Sequence, residues 1–564
     1  LDRSSAASDV YKRQVLGTGT SLGSGALTVN AATLLDSTAS VALANNVTLN
    51  GAPLTVLGSQ DLALNGTVSG GGSLVKQGAA TLTLAGNNTF DGGVTLAQGG
   101  LNVGSNLALG TGALTVAGAS TLSSSQAVTL ANNVALNGGN LTATGSNDIT
   151  LGGTVSGANG LVQSGTGTLT LSGNNNYSGG TTLTSGTLAA NSNTALGTGA
   201  VNVTGAANLT AADGVTLANN VTLANALTAT GAGNWTLAGN LTGAGSLVKE
   251  GSGTLTLTGA NGYTGGTQLN AGGLTGNTGS LQGNVATAAG TTLTFNQNTN
   301  GTYGGNLSGA GNLEKAGTGT VTLDGANTLT GAIGVAQGTL RAGGGAINTA
   351  SGVRIDSGAT LALTSAASIA SLTGAGTLQS GSALTLGNGS DSIFGGVLAG
   401  TGSTTKVGTG TLTLAGANTQ SGVFDINGGR VNLTGSLGSS TVNVNGAGSS
   451  LAGTGIASGN VFIKNGGNLY VSSANTGGLT LGSLSVDGAS SINADLGAPY
   501  SGSLINVNGN VTLNGSINVT QLPGFGVGVY RIVSYQGTGM TTGLTLANAS
   551  PTFSLQTGLA GQIN

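Results

Sequence analysis

The chain contains no histidine and no cysteine. Without an imidazole or a thiol it cannot build a Ser-His triad, use a cysteine nucleophile, or hold a metal through histidine or thiolate ligands. Disulfide bonds are excluded for the same reason. We therefore expect no enzyme activity, no catalytic residues, no cofactor and no metal site.

Charge, proline and aromatic residues are also scarce. Only 5% of the residues are charged and 3% are aromatic, the formal net charge is −3, and there are four prolines. Proteins that bind nucleic acid present clustered lysine and arginine, so we expect no nucleic-acid partner. The sequence also has no apolar run of 18 residues, the length typical of a membrane-spanning helix.

Glycine and short apolar runs are abundant instead. The chain has 110 glycines and 38% hydrophobic residues, more apolar content than a disordered chain carries. Runs such as Thr168–Leu171 alternate threonine with leucine, which is typical of a β-strand with one buried side. Leu169 and Leu171 are expected to point inward and Thr168 and Thr170 outward. The sequence predicts an all-β protein.

One phrase recurs five times along the chain. Its second copy reads NGLVQSGTGTLTLSGNNNYSGGTTL at 159–183. Lys76, Gln163 and Lys249 occupy the same slot in the first three copies, at separations of 87 and 86 residues. The other copies begin at residues 72, 245, 311 and 402. Self-similarity at this length predicts a solenoid, in which each unit buries its apolar side against its neighbours.

Among solenoids, the alternation favours a right-handed parallel β-helix. A block of 87 residues would divide into four coils of roughly 22 residues, giving roughly 25 coils in the chain. Asparagines at equivalent turns are expected to form side-chain amide ladders; they are Asn87, Asn174, Asn261, Asn327 and Asn418. A propeller would need blades of roughly 40–50 residues with Gly-His and Trp-Asp signatures, which are absent.

The two ends differ from the repeats. Residues 1–14 match no repeat and resemble adaptor-derived, non-native sequence, so the repeat-built β-helix is assigned to 15–445. Residues 446–564 form an aromatic-richer C-terminal region. We expect its apolar side chains to cap the open end of the helix; they are Phe525, Tyr530, Ile532 and Tyr535.

The repeat resembles a known family. The stretch GTGTLTLSGNNNYSGGTTLTSGTL at 165–188 is similar to the autotransporter-associated β-strand repeat of Gram-negative passenger domains, and its copies cover 72–430 with gaps. The aromatic slot of the motif holds Phe90, Tyr177 and Tyr263, but Leu329 and Gln420 in the last two copies. Residues 502–544 look like the C-terminal passenger region that promotes folding in this family.

The resemblance implies a surface-displayed structural passenger that acts in adhesion, in autoaggregation or as a stalk. It further implies an unknown surface or glycan ligand, self-association, and a location at the cell surface, anchored at the bacterial outer membrane or secreted after cleavage. Members of the family carry an N-terminal signal peptide and a C-terminal outer-membrane β-barrel. Neither is expected within these residues, so we interpret the chain as a passenger fragment with an autochaperone-like region at 446–564.

Two other functions remain open. A β-helix enzyme acting on polysaccharides would need two carboxylates about 5–9 Å apart; the acidic residues are scattered, among them Asp91, Asp148, Asp213, Glu250, Glu314, Asp324, Asp356, Asp391 and Asp425. An ice-binding solenoid would need a Thr-x-Thr pair in every coil. The clear pairs occur once per block, at Thr81/Thr83, Thr168/Thr170, Thr254/Thr256 and Thr411/Thr413.

Two short motif matches are interpreted as turns. Residues Gly19–Gly23 match the G-x-S-x-G pattern of a nucleophile elbow, but the chain has no histidine to serve as the base. Residues Gly387–Asp391 match one G-x-G-x-D unit, whereas a calcium-binding roll needs such units in tandem.

Overall fold

The alternating leucine and threonine runs form short strands with alternating burial. In the strand Thr168–Leu171 both leucines are buried and both threonines face outward, as predicted. The computed structural model describes residues 13–475, 477–499, 501–540, 542–548 and 553–564. The expectation of non-native sequence at 1–14 thus falls almost wholly outside the described residues.

Strands stack in parallel, each on a strand about one coil away. Leu62 pairs with Leu82, and Leu141 pairs with Leu161, a spacing of 20 residues in both cases. Most coils place three strands on three faces around a shared interior. The predicted all-β parallel solenoid is confirmed. The chain divides into unit 1, which ends at Val285, and unit 2, which begins at Ala286. The two units together contain about 24 turns.

Unit 1 has three faces, which we number in the order in which the chain visits them within a coil such as 54–69. The first face comprises Arg13–Leu16, Thr33–Ser37, Leu54–Val56, Leu74–Lys76, Val94–Leu96, Leu114–Val116, Val134–Leu136, Val155–Gly157, Thr216–Leu217, Trp235–Leu237, Thr254–Leu257 and Gly273–Gly276. The second comprises Val41–Leu43, Leu62–Leu64, Thr81–Leu84, Gly99–Val103, Ser120–Ser124, Leu141–Ala143, Leu161–Gln163, Thr181–Leu183, Val201–Val203, Val221–Leu223, Leu241–Gly243 and Gly262–Tyr263. The third comprises Leu27–Val29, Val47–Leu49, Val68–Ser69, Val128–Leu130, Ile149–Leu151, Thr168–Leu171, Thr187–Ala190, Ala207–Ala211, Leu227–Thr230, Leu247–Lys249 and Thr267–Leu269.

Unit 2 repeats this plan, and its faces are numbered separately. Its first face comprises Thr292–Asn296, Asn312–Ala316, Ile333–Val335, Val353–Ile355, Leu372–Gly374, Ser392–Phe394, Thr411–Leu414, Gly429–Leu433, Ser449–Gly453, Asn468–Ser472, Ser491–Leu496, Ser516–Gln521 and Thr545–Leu546. Its second comprises Gly301–Tyr303, Thr320–Leu323, Thr339–Ala342, Thr360–Leu363, Thr377–Ser380, Val397–Ala399, Ala417–Asn418 and Ser436–Leu437. Its third comprises Leu307–Gly309, Thr328–Leu329, Ala367–Ile369, Leu384–Leu386, Thr404–Lys406, Phe424–Ile426 and Val442–Asn445.

A few elements depart from the three-face plan. The one-turn helix Gly344–Ile347 packs against strands of the third face of unit 2. The strand Val285–Thr287 lies on the boundary between the units. Near the C-terminus the strands Ile456–Lys464 and Leu479–Val486 each run across the second and third faces, and they are followed by Ile505–Val507, Val511–Leu513, Val533–Tyr535, Gly539–Met540 and Gln562–Ile563.

Columns of like residues fill the interior. On the second face of unit 1, Leu62, Leu82, Leu101 and Leu122 stack in register over four successive coils, and each is at most 2% exposed. Burying a leucine contributes about 1.5–3 kcal/mol. Because each coil contacts mainly its two neighbours, this stabilisation is distributed coil by coil along each unit.

The predicted coil length is wrong. Coils of the repeats take about 20 residues rather than 22, because three-residue strands joined by tight glycine corners suffice to close a turn. A block of 87 residues therefore makes about 4⅓ turns. The slot residues show this offset directly: Lys76 lies on the first face of unit 1, Gln163 on the second and Lys249 on the third.

The C-terminal part of unit 2 has longer strands and an antiparallel pair. Ile456–Lys464 spans nine residues, and Val533–Tyr535 pairs antiparallel with Gln562–Ile563. The Phe525 ring stacks on Tyr530 at 5.1 Å between centroids and meets Phe553 edge-on at 5.6 Å. That these side chains cap the solenoid stays a prediction.

Candidate functional site

The lysine slot of the repeat points into the solenoid. Lys249 is 1% exposed, and its Nζ donates to the carbonyl oxygens of Glu250 at 2.7 Å, Gly251 at 2.7 Å and Ala271 at 3.2 Å. The same three-carbonyl arrangement recurs, with bonds of 2.6–3.3 Å, at Lys76, Lys315 and Lys406. Each lysine therefore ties its own corner to the corner of the next coil.

The geometry of this slot explains its residue types. The glycine after the corner, Gly251, has a φ of 77°, and a Cβ there would lie 2.2 Å from the carbonyl oxygen of Gly231. In the second copy the amide of Gln163 replaces the ammonium and donates to Gly165 at 3.1 Å and Gly167 at 2.8 Å. Burial lowers the pKa of Lys76 to about 8.

Our sequence interpretation missed the inward direction of these lysines, although a signal was present. In Leu247–Lys249 the leucine and the lysine are two residues apart, so strand alternation places both on the same, buried side. The neighbouring Glu250 is exposed, so Lys249 and Glu250 face opposite sides of the strand end. Glu314 and Lys315 are opposed in the same way.

A buried asparagine forms a second slot of the repeat. Asn175 accepts the N–H of Val155 on Oδ1 at 2.7 Å and donates from Nδ2 to the carbonyl of Ala195 at 2.6 Å. It therefore bridges the coil before and the coil after its own. The equivalent residues, all at most 9% exposed, are Asn88, Asn261, Asn327 and Asn418. Each accepts the N–H of the residue 20 positions earlier.

The predicted asparagine ladders need correction. Asn87 and Asn174 are exposed, and the buried slot is one residue later. The side chains in this slot bond to backbone groups of neighbouring coils, because equivalent asparagines are several coils apart. An amide ladder does form elsewhere: Asn518 donates to Asn493 at 2.8 Å, and Asn493 donates to Asn468 at 3.0 Å.

The aromatic slot is matched to the residue four positions later. Tyr177 and Tyr263 are buried, and their hydroxyls bond to Thr181 at 2.6 Å and Thr267 at 2.7 Å. Phe90, which has no hydroxyl, is followed by buried Val94. The remaining slot residues, Leu329 and Gln420, are also buried. A tyrosine hydroxyl thus occurs in this slot only where a threonine four residues later can form a hydrogen bond with it.

The outer faces of the two units differ in charge. The structure describes all of residues 41–276 in unit 1, and the strands of that segment carry no charged side chain except the inward Lys76 and Lys249. Its acidic residues lie in corners. The strands of unit 2 carry seven charged residues with outward side chains: Glu314, Arg341, Arg354, Asp425, Arg430, Lys464 and Asp495.

Several of the candidate acidic residues hold the backbone. Asp148 and Asp391 accept the N–H of Thr168 at 2.7 Å and Thr411 at 2.6 Å, one coil later. Glu314 and Asp356 both pair with Arg354. Within the described ranges no group of three or more Asp and Glu residues is arranged to hold a metal ion.

The other candidate motifs lie in turns. In the G-x-S-x-G match, the Ser21 hydroxyl accepts the N–H of Gly17 at 3.2 Å and of Thr18 at 3.0 Å. The G-x-G-x-D match ends at Asp391, which bonds to Thr411 as described above. Across the part of the chain that the structure covers, no helix is both long and apolar enough to cross a membrane.

The Thr-x-Thr pairs face outward in different directions. Within unit 1, Thr81 and Thr83 lie on the second face, the pair at 168 and 170 on the third, and the pair at 254 and 256 on the first. This distribution follows from the offset of about a third of a turn per block. No face of unit 1 stacks these repeat-derived pairs on one another in the described coils.

The fold and the three recurring positions of the repeat (lysine or glutamine, asparagine, aromatic) define a parallel β-solenoid built from one repeated motif. Five segments match the family model of the passenger-associated-transport-repeat: residues 74–103, 161–190, 247–275, 313–342 and 405–433. Each contains the lysine or glutamine, asparagine and aromatic slots described above. The five repeats and the solenoid fit an autotransporter passenger, and the repeat family implies a surface-displayed or secreted protein. No curated protein and no solved structure matches the chain.

Proposed function

We propose that this chain is a structural passenger displayed at a bacterial outer membrane, acting in adhesion or autoaggregation and free of enzyme activity. The observation that supports the proposal most is the absence of charge at the outward strand positions of residues 41–276 in unit 1. Its strands present mainly threonine, serine, asparagine and alanine, whose hydroxyl and amide groups offer many weak polar contacts. Avidity along a repeated surface can then replace a single tight site.

Self-association of the purified chain tests the proposal. Sedimentation velocity over a range of protein concentrations is expected to show reversible species larger than a monomer. Because the contact surface is uncharged, association should persist when the salt concentration is raised. A chain that stays monomeric at every concentration, and that also adsorbs to no glycan or surface above background, would reduce the protein to a stalk and contradict the adhesive function.

We also propose that residues 446–564 fold first and act as a template for the other coils. Several contacts support this order. The strands there are longer than in the repeats, an antiparallel pair joins Val533–Tyr535 to Gln562–Ile563, and the Phe525 ring packs on two other aromatic rings. Longer strands provide more hydrogen bonds for each corner that must be fixed.

Refolding kinetics test this order. Deletion of 502–544 is expected to slow refolding from denaturant and to leave coils that are sensitive to protease. A deletion of one complete coil within the repeats is the control, because it should preserve the rate. Equal refolding rates for the full chain and the 502–544 deletion would contradict the template role.

A further inference from the structure

We infer that unit 1 carries contact surfaces for a second copy of this chain on all three of its faces, so that one copy can associate with neighbours on three sides. The inference rests on the proposed self-association and specifies its geometry. Because a block makes about 4⅓ turns, each new copy begins one face further around the solenoid.

The offset distributes the same outward residues over the three faces. The outward threonines of the TLTL strand lie on the second face in the first copy, on the third face in the second copy and on the first face in the third copy. A repeat of four whole turns would instead have stacked them all on one face. The chemistry that one face offers to a partner is therefore offered by the other two.

Outward columns of hydroxyl and amide groups can pair with copies of themselves, as parts of the second face illustrate. On the second face, outward Thr121 pairs in register with Thr142, and further along Thr182, Asn202 and Thr222 stand in one column. A threonine hydroxyl both donates and accepts a hydrogen bond, and an asparagine amide does the same through its two atoms. A column on one copy can therefore form hydrogen bonds with the same column on a second copy.

Charge favours a second copy as the occupant. The outward strand positions of residues 41–276 carry no charged group, so face-to-face contact between two copies places no like charges at opposing strand positions, and the acidic residues stay in the corners. The net charge of the whole chain is only −3. A nucleic acid or an anionic membrane would find no outward cation on the strands of residues 41–276.

The size of one face explains why several are needed. The second face has 12 strands. At about 4.8 Å per strand and roughly 10 Å of width it offers roughly 550 Å², so a pair of copies would bury roughly 1,100 Å², near the lower limit for a specific interface. One such contact is weak and reversible. Contacts on three sides produce a stable assembly through their number.

Face-selective charge tests the inference. One variant carries Thr182→Lys, Thr222→Lys and Thr242→Lys on the second face. A first-face variant carries Thr55→Lys, Thr95→Lys and Thr115→Lys, and a third-face variant carries Thr129→Lys, Thr150→Lys and Thr170→Lys. A fourth variant combines all nine changes. The matched control places three lysines at outward positions of unit 2, Thr322, Thr385 and Thr405.

The readouts are sedimentation velocity and electron microscopy of the assemblies, with circular dichroism to establish that each variant retains its β structure. Each single-face variant is expected to raise the concentration at which assembly begins and to produce thinner assemblies. The nine-lysine variant should be monomeric, and the control should assemble like the unchanged protein.

The possible failures are distinguishable. If one single-face variant abolishes assembly and the other two have no effect, only one face makes contacts and the three-sided inference is overturned, while self-association stands. If a folded nine-lysine variant still assembles, the contacts lie outside these faces and the inference also fails. If the unchanged chain never assembles, the proposed self-association fails together with it.

Discussion

The two units have the same kinds of interior contact and differ in the charge of their outward side chains. Lys249 in unit 1 and Lys315 in unit 2 each donate to three carbonyl oxygens, and Asn175 and Asn327 each accept a backbone N–H from the preceding coil. The outward strand positions of residues 41–276 are uncharged, whereas those of unit 2 carry seven charged groups. The repeat therefore constrains what lies inside the solenoid and leaves the outer faces free to diverge.

Removal of the buried lysine should have the largest effect, and a similar one in both units. Lys249→Ala and Lys315→Ala each leave three carbonyl oxygens, most of them partly buried, without their donor, at a cost of about 3 kcal/mol in free energy of unfolding. Denaturant unfolding, together with local hydrogen exchange at the affected coil, measures the loss.

Lys249→Gln is the matched control, because Gln163 fills the same slot with two hydrogen bonds. It should recover much of the stability that Lys249→Ala loses. Equal losses for the glutamine and alanine variants would contradict the carbonyl-bridging role, and a large difference between the lysines at 249 and 315 would break the equivalence of the two interiors.

The asparagine slot should have the next largest effect. Asn175→Ala leaves the N–H of Val155 and the carbonyl of Ala195 unpaired, which should lower the free energy of unfolding by about 2 kcal/mol or more. Asn174→Ala changes the exposed neighbour and should cost little. Thermal or denaturant unfolding compares the two variants. A larger loss of stability for Asn174→Ala than for Asn175→Ala would contradict the assignment of the buried slot to Asn175.

A substitution in the aromatic slot should cost less stability, and a second substitution should restore it. Phe90→Tyr should bury a hydroxyl beside Val94 without a partner, at a cost of about 1–2 kcal/mol. Adding Val94→Thr recreates the hydroxyl pair of Tyr177 and Thr181 and should restore stability. A double-mutant cycle measures this coupling; additive losses from the two changes would show that the slots are not matched.

Charge on the outside of unit 2 should matter least for stability. Arg354 is 47% exposed where it pairs with Glu314, and exposed ion pairs contribute about 0–1 kcal/mol. Arg354→Ala should therefore change the unfolding midpoint only slightly and leave association unchanged. A loss comparable to that of Lys249→Ala would contradict the division between a constrained interior and a variable exterior.

Much of the fold follows from the sequence, and the failures have physical causes. Alternation in Thr168–Leu171 correctly predicts the strand and its buried side. The coil length could not be derived from the block, because the repeat and the turn are not commensurate. Lysine is rarely buried, so its inward position needs the three carbonyl partners that only the folded corner provides. In the first two copies the predicted asparagine lies one residue before the buried one, because two asparagines are adjacent there, as at Asn174 and Asn175.

The repeat directs its lysines into the solenoid and leaves the outward strand positions of residues 41–276 uncharged. Acetylation of the native chain with an amine-reactive reagent, read by mass spectrometry, tests it directly. Lys464 is only partly buried and should be modified readily, whereas the lysines at 76, 249, 315 and 406 should stay protected until the protein is denatured. Modification of those four lysines in the native protein at the rate of Lys464 would contradict the account.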